Sequence, residues 1–160
     1  MFEIEETVTI EQPIERVWAF VMDEANDSLW QTTLTDVHRL TNGPMGVGTR
    51  VSESRRFLGR TVETIWEMTE CEAPHRSSIA SVKAPFAWQG TYALEETGEG
   101  TRFTMRLQGS PGGFFRIAES LLERFVRREM VGNLGNLNDV LEAGLGAGDA
   151  AVLEGVTASS

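Results

Sequence analysis

The segment from about Pro111 to Gly144 constrains this chain more than any other. Phe114, Ile117, Ala118, Leu121, Leu122, Phe125 and Val126 recur at helical spacing, and Leu134, Leu137, Val140 and Leu141 resume the stripe. The pattern predicts one long amphipathic helix. It follows about six β-type runs, each with one apolar face. An antiparallel sheet of that kind needs a cover on its apolar side. A single helix across a curved sheet covers it incompletely, and the uncovered part is a cavity. The expected class is α+β: a curved antiparallel sheet of six or seven strands wrapped around a long C-terminal helix.

The strands are read from alternation. Phe2, Ile4, Val8 and Ile10 alternate with polar residues, with Glu6 interrupting the apolar face. Pro13 suits a helix first turn, and Val17, Trp18, Phe20 and Val21 give a short helix facing the core. After the polar break from Asp23 to Asp27, Ser28-Leu29-Trp30 reads as a second short helix or turn. Leu34–Leu40 is a weak strand. Strands over Thr49–Phe57, Arg60–Cys71 and Ser77–Lys83 follow, then two carrying Phe86, Trp88, Tyr92, Leu94 and Phe103, Met105, Leu107. Turn residues at Asn42-Gly43-Pro44, Gly59 and Gly98-Glu99-Gly100 separate them. Gly132 and Gly135 lie inside the long helix, which implies a bend or a closely packed strand there. Residues 1–143 form one expected unit, and 144–160 a Gly/Ala/Ser-rich tail.

Composition excludes several functions. The formal charge of −10 argues against a basic surface for nucleic acid or anionic lipid. No run approaches the ~18 apolar residues of a membrane span. The single cysteine, Cys71, cannot form an internal disulfide, and MFEIEETVTI does not read as a signal peptide, so the expected compartment is the cytoplasm. His38 and His75 are the only histidines and do not share a helical ligand spacing, so no metal site is expected. Gly43–Gly48 lacks the lysine of a phosphate loop, and no serine sits in a G-x-S-x-G turn. The residues call for no cofactor.

The aromatic and sulfur side chains are the stronger signal. Trp66, Trp88, Tyr92 and Phe103, with Met68 and Met105, fall on inward faces; Trp30 could close one end, and Phe114 and Phe125 the roof. Tryptophan and tyrosine carry polar atoms that need partners when buried, and several on one concave face suit a ring-bearing ligand. A cavity of roughly 300–1,000 Å³ is expected, lined by several of Trp66, Trp88, Tyr92, Met105, Leu121 and Phe125. Glu6, Glu53 and Arg55 share register with apolar neighbours. Either Glu53 or Glu6 pairs with Arg55 inside the cavity, or all three lie at its rim. Arg124, Arg127 and Arg128 with Glu119, Glu123 and Glu129 read as the solvated back of the helix.

Several strings in this order carry a family resemblance. Ile10-Glu11-Gln12-Pro13-Ile14-Glu15-Arg16-Val17-Trp18 resembles the opening "I-x-A-P-x-E-x-V-W" of START-like (SRPBCC) proteins, with Gln12 where alanine is usual. Trp30, the turn Gly43–Thr49, the hairpin Glu95–Arg102 and the closing Leu134–Glu142 are similar to further elements of the same family. The resemblance covers about residues 2–143 and is nearest to the polyketide cyclase/dehydrase-like branch. It implies the helix-grip fold, with two short helices after the first strand. It also implies a hydrophobic or lipid-like ligand held between sheet and helix, without naming one. The ligand-binding candidates are then Trp30, Trp66, Met68, Trp88, Tyr92, Phe103, Met105, Phe114, Leu121 and Phe125. A carrier of a small apolar or aromatic molecule is the leading expectation. A cyclase/dehydratase-type enzyme is the rival, with Tyr92, Glu53 or Arg55 as acid or base. A protein-interaction domain like chaperone-stimulating relatives is the third. No oligomeric state follows from the sequence, and a homodimer is compatible with it.

Overall fold

The computed structural model of the protein describes residues 1–113 and 118–144. Strand β1 (Phe2–Ile10) buries Phe2, Ile4 and Ile10, half-buries Glu6 and Val8 on the same face, and exposes the alternate residues. Pro13, extended at φ −60° and ψ 148°, stands before α1 (Ile14–Val21), which buries Ile14, Val17, Phe20 and Val21. A 3₁₀ turn (Glu24–Asn26) follows, capped by Asp23 Oδ1 accepting from the Ala25 amide at 3.0 Å. The one-turn helix α2 (Asp27–Trp30) then leads into six strands: β2 (Leu34–Arg39), β3 (Arg50–Phe57), β4 (Arg60–Glu72), β5 (Arg76–Lys83), β6 (Ala87–Thr97) and β7 (Gly100–Ser110). The last element among the described residues is α3 (Glu119–Glu142).

All strand pairs are antiparallel, in the order β1-β7-β6-β5-β4-β3-β2. The chain meanders from β2 to β7, and β1 returns to pair with β7. Gly100 permits that closure. Its φ of +138° suits only glycine, and a Cβ there would stand 2.2 Å from the Ile10 carbonyl oxygen. The core has one cluster at the α1 end, built on Ile14, Trp30, Phe103, Leu134 and Leu137. A second joins Phe2 and Ile4 to Leu122 and Met130. A third, Val51, Trp66 and Met68, lies on β3 and β4.

The long helix is shorter than its periodicity suggests. It begins at Glu119, and Gly113, the last described residue before it apart from Ala118, takes φ +58°. Phe114 and Ile117, the first members of the stripe, lie outside the described residues, as does the expected tail beyond Gly144. The buried face runs through Leu122, Met130, Asn133, Leu134, Leu137 and Leu141. Leu121 stands one residue, about 100°, from that face and is 66% exposed. The apolar residues of the first turns form two adjacent rows: the one through Leu122 and Val126 faces the sheet, and of the other Leu121 is exposed while Phe125 reaches Phe57 of β3.

The backbone of α3 runs close along β1 and α2 and makes no comparable approach to β3, β4, β5 or β6. Two asparagines fix it there. Asn133 Oδ1 accepts from the Thr32 amide at 3.2 Å, and Asn136 Nδ2 donates to the Trp30 carbonyl at 3.2 Å. The helix is thereby fastened to α2 and the residues that follow it, while Leu122 and Met130 pack with Phe2 and Ile4 of β1. Among the described residues no helix is long and apolar enough to cross a membrane.

No strand packs closely against the helix glycines: a Cβ at Gly132 or Gly135 meets nothing within 4 Å among the described residues. Gly132→Ala and Gly135→Ala should each therefore stabilise the protein by about 0.5–1 kcal/mol in urea unfolding. A loss of stability in both would show that the helix needs its glycines.

Candidate functional site

Between α3 and the uncovered strands lies a cavity of about 220 Å³. This is smaller than the expected range. Sheet pleating builds its walls, since alternate residues of each strand point to one face. On β3 these are Glu53, Arg55 and Phe57; on β4, Val62, Thr64, Trp66 and Met68; on β6, Trp88, Gly90 and Tyr92; on β7, Met105 and Leu107. The pairing register sets Arg55 opposite Val62, Glu53 opposite Thr64 and Tyr92 opposite Met105. Val126, Glu129, Met130 and Asn133 of α3 form the roof, and Asp27 and Gln31 close the α2 end. Arg56 and Pro85, both exposed, mark the rim.

The residues expected at a ligand site divide. Trp66, Met68, Trp88, Tyr92 and Met105 line the cavity. Trp30 and Phe103 do not: they are 1% and 0% exposed and stand behind the wall, where both rings pack on Tyr92. Trp30 thus backs the cavity rather than closing its end. Leu121 points to solvent, and Phe125 packs edge-to-face on Phe57 with centroids 5.3 Å apart, on the flank of the roof. Phe114 lies outside the described residues.

The polar wall is a connected network. Arg55 Nε donates to Glu53 Oε1 at 2.8 Å, Nη1 to Thr33 Oγ1 at 3.4 Å, and Nη2 to Gln31 Oε1. Trp66 Nε1 donates to the other oxygen of Glu53 at 3.2 Å. Thr33 Oγ1 donates to Glu129 Oε1, which also stands 3.8 Å from Arg55 Nη1. Glu53 is only 5% exposed, so the pair lies inside the cavity and not at its rim. Burial opposes the Arg55 charge, but Glu53 and Glu129 outweigh it and hold its pKa above the ordinary arginine value. Glu6 is not part of this network; it accepts from Arg127 Nη1 at 2.7 Å. Glu129, read from the sequence as solvated, instead faces the cavity. At the α2 end Arg39 grips both oxygens of Glu24, and despite the opposing effect of burial that contact keeps the carboxyl below its usual value.

The Tyr92 hydroxyl and the Asp27 carboxyl are among the groups that line the cavity without a hydrogen bond to a described residue. Burial, then the nearby Asp27, pushes the Tyr92 pKa well above the usual phenol range, with Arg55 acting against them. Burial also raises the Asp27 pKa well above the aspartate range. Glu53, Glu24 and Asp23 add to that, and Arg55 opposes it. The sequence reading does not single out Asp27, Gln31, Thr33 and Asn133, and it places Glu129 in solvent. The available signal was weak: polar residues at the ends of short elements, which usually cap or face water. No group of His, Cys, Asp and Glu among the described residues is arranged to hold a metal.

Because its folded-state pKa is raised, the folded protein binds the Asp27 proton more tightly than the unfolded chain does. The resulting cost is absent below the usual aspartate range, grows as pH rises through the raised value, and persists above it. Asp27→Asn removes that cost. The variant should melt higher than wild type at neutral pH, with the gain vanishing in acid. An equal or lower Tm at neutral pH would contradict this placement of Asp27.

No curated protein matches this sequence. Solved structures do. TTHA0849 from Thermus thermophilus is similar over 89% of this chain and 98% of its own, at 20% identity and a TM-score of 0.78. DR_A0006 from Deinococcus radiodurans is similar over 91% of this chain and 100% of its own, at 21% identity and a TM-score of 0.68. The di-domain ARO/CYC BexL from the BE-7585A biosynthetic pathway matches over 86% of this chain and 49% of its own, at 18% identity and a TM-score of 0.70. At these identities the likeness is one of fold, and it agrees with the helix-grip architecture described above. The model of the family described as polyketide cyclase / dehydrase and lipid transport matches residues 1–142, and the chain belongs to that family.

Proposed function

We propose that this protein binds a small apolar or aromatic molecule in the cavity between α3 and the sheet. The observation that carries this reading is the division of the cavity wall. One side presents Trp66, Trp88, Met68, Met105 and Val126; the other presents Arg55, Glu53, Gln31 and the unpartnered hydroxyl of Tyr92. The apolar side gives affinity at ~25 cal/mol per Å² of buried area. The polar side orients one end of the guest. An open cavity, as against a collapsed core beside an exposed groove, favours a small molecule over a partner protein.

A catalytic reading has one observation of its own. Tyr92 and Asp27 are hydroxylic groups aimed at a shared space with no internal partner, and the ARO/CYC protein BexL has a similar fold. Such groups could move a proton on a bound carbonyl chain, with proximity supplying much of the rate. Glu53 and Arg55 suit that role less. Both oxygens of Glu53 are engaged, and its proximity favours the charged guanidinium.

An apolar fluorescent probe should bind saturably, and Trp88→Ala should weaken it about two- to tenfold, the ~0.5–1.5 kcal/mol of one aromatic contact. A folded sample with no saturable site would remove the basis of the binding reading. Tyr92→Phe separates carrier from enzyme. In a carrier the change alters affinity by one hydrogen bond, ~0.5–1.5 kcal/mol. If Tyr92 is a general acid, turnover of a carbonyl substrate falls ~10²-fold at preserved affinity. The expected result is the affinity change alone.

A further inference from the structure

Asp27 is the carboxyl of the cavity that the fold leaves without a side-chain partner among the described residues. It opens α2, is 8% exposed, and its carboxyl makes no hydrogen bond or ion pair with a described residue. Every other carboxyl at this end of the cavity has one: Glu24 holds Arg39, Glu53 holds Arg55 and Trp66, and Glu129 holds Thr33. Arg55 is already committed to Glu53, Gln31 and Thr33. With Glu24 and Arg39 cancelling, Asp27, Glu53 and Glu129 face a single arginine. Arg56 is out at the rim, in solvent. A buried carboxyl without a partner is costly. That cost falls on its ionised form, and a cation beside it would offset it.

We propose that the ligand is an amine: an apolar or aromatic body carrying one cationic nitrogen, with the nitrogen against Asp27 and the body against Trp88, Trp66 and Met105. The inference rests on the binding reading above and names the class of guest. A cation there gains a charge-assisted hydrogen bond in a site that excludes water. The aromatic faces of Tyr92 and the two tryptophans favour the same charge. A carboxylate guest would meet three carboxyls and one occupied arginine. A neutral alcohol could bond to Asp27 but would leave the charge imbalance unchanged.

The site is also pH-dependent. The groups that act on Asp27 are Asp23 and Glu24 of the 3₁₀ turn, and Glu53 and Arg55 of β3; Tyr92 of β6 is coupled to it. Glu129 of α3 reaches it through Arg55. Acidification keeps the proton on Asp27 and leaves the arginines charged, so amine affinity should fall as the pH drops, while affinity for an uncharged analogue should not.

The test compares naphthylmethylamine, naphthylmethanol and naphthoic acid, three guests of one shape, by titration calorimetry at neutral pH on wild type and Asp27→Asn. The amine is expected to bind wild type about tenfold or more tightly than the alcohol, and the acid weakest. In Asp27→Asn the amine should lose its advantage while the alcohol keeps its affinity, which also shows that the variant is folded. An alcohol that binds wild type as tightly as the amine, or an amine preference that survives Asp27→Asn, overturns this inference and leaves the binding reading standing. Absence of saturable binding by all three overturns both.

Discussion

A seven-stranded sheet with one apolar face and a single helix to cover it cannot close completely. Six inter-strand spacings make the sheet roughly 29 Å wide, whereas a helix with its side chains is about 10–12 Å across. Curvature reduces the difference without removing it. What remains open depends on where the helix is held. Here Asn133 and Asn136 fasten α3 to the backbone at Trp30 and Thr32, and Leu122 and Met130 pack with Phe2 and Ile4 of β1. The helix is therefore committed to the β1 edge and α2, and the open space falls over β3 to β6. The large side chains of those strands fill part of it, and Gly90 on β6 leaves room beside Trp88 and Ile79.

The same geometry sets the electrostatics. Residues that alternate inward on β3 include Glu53 and Arg55, which would be costly in a closed core unless paired. They are paired with each other, and Gln31, Thr33, Trp66 and Glu129 complete the network from other elements. Asp27 is outside that arrangement. A fold that satisfies its other buried carboxyls and leaves one bare carries a local instability, and such departures from consistency tend to mark functional positions. Outside the cavity, the acidic surface is threaded with exposed cross-strand pairs such as Glu5–Arg106 and Glu95–Arg102, which contribute little to stability and serve solubility.

Much of this was legible in the residues. Alternation located the strands because each has one buried face, and the order of strands and helices, with the family strings, indicated the helix-grip fold. The inward placement of Trp66, Trp88, Tyr92 and Met105 follows from the same period of two. Three kinds of information were not local. The stripe of α3 contains two apolar rows, and only tertiary contact selects the one through Leu122 over the one through Leu121. Trp30 and Phe103 differ from Tyr92 by depth behind the wall, which alternation does not encode. Asp27, Gln31 and Glu129 come together from a one-turn helix, a loop and the long helix. Their meeting depends on where α3 is anchored, and no periodicity within any one segment records that.

The central claim is that the space between α3 and strands β3 to β6 is a binding site and not a packing defect. A crystal structure grown with a naphthyl guest tests it most directly. The account predicts density for one guest in that space, its rings against Trp88 and its polar end toward Asp27 and Tyr92, with α3 still fastened at Asn133. A structure in which Trp66, Trp88 and Tyr92 have collapsed to fill the space, or in which the guest binds only elsewhere, would contradict it.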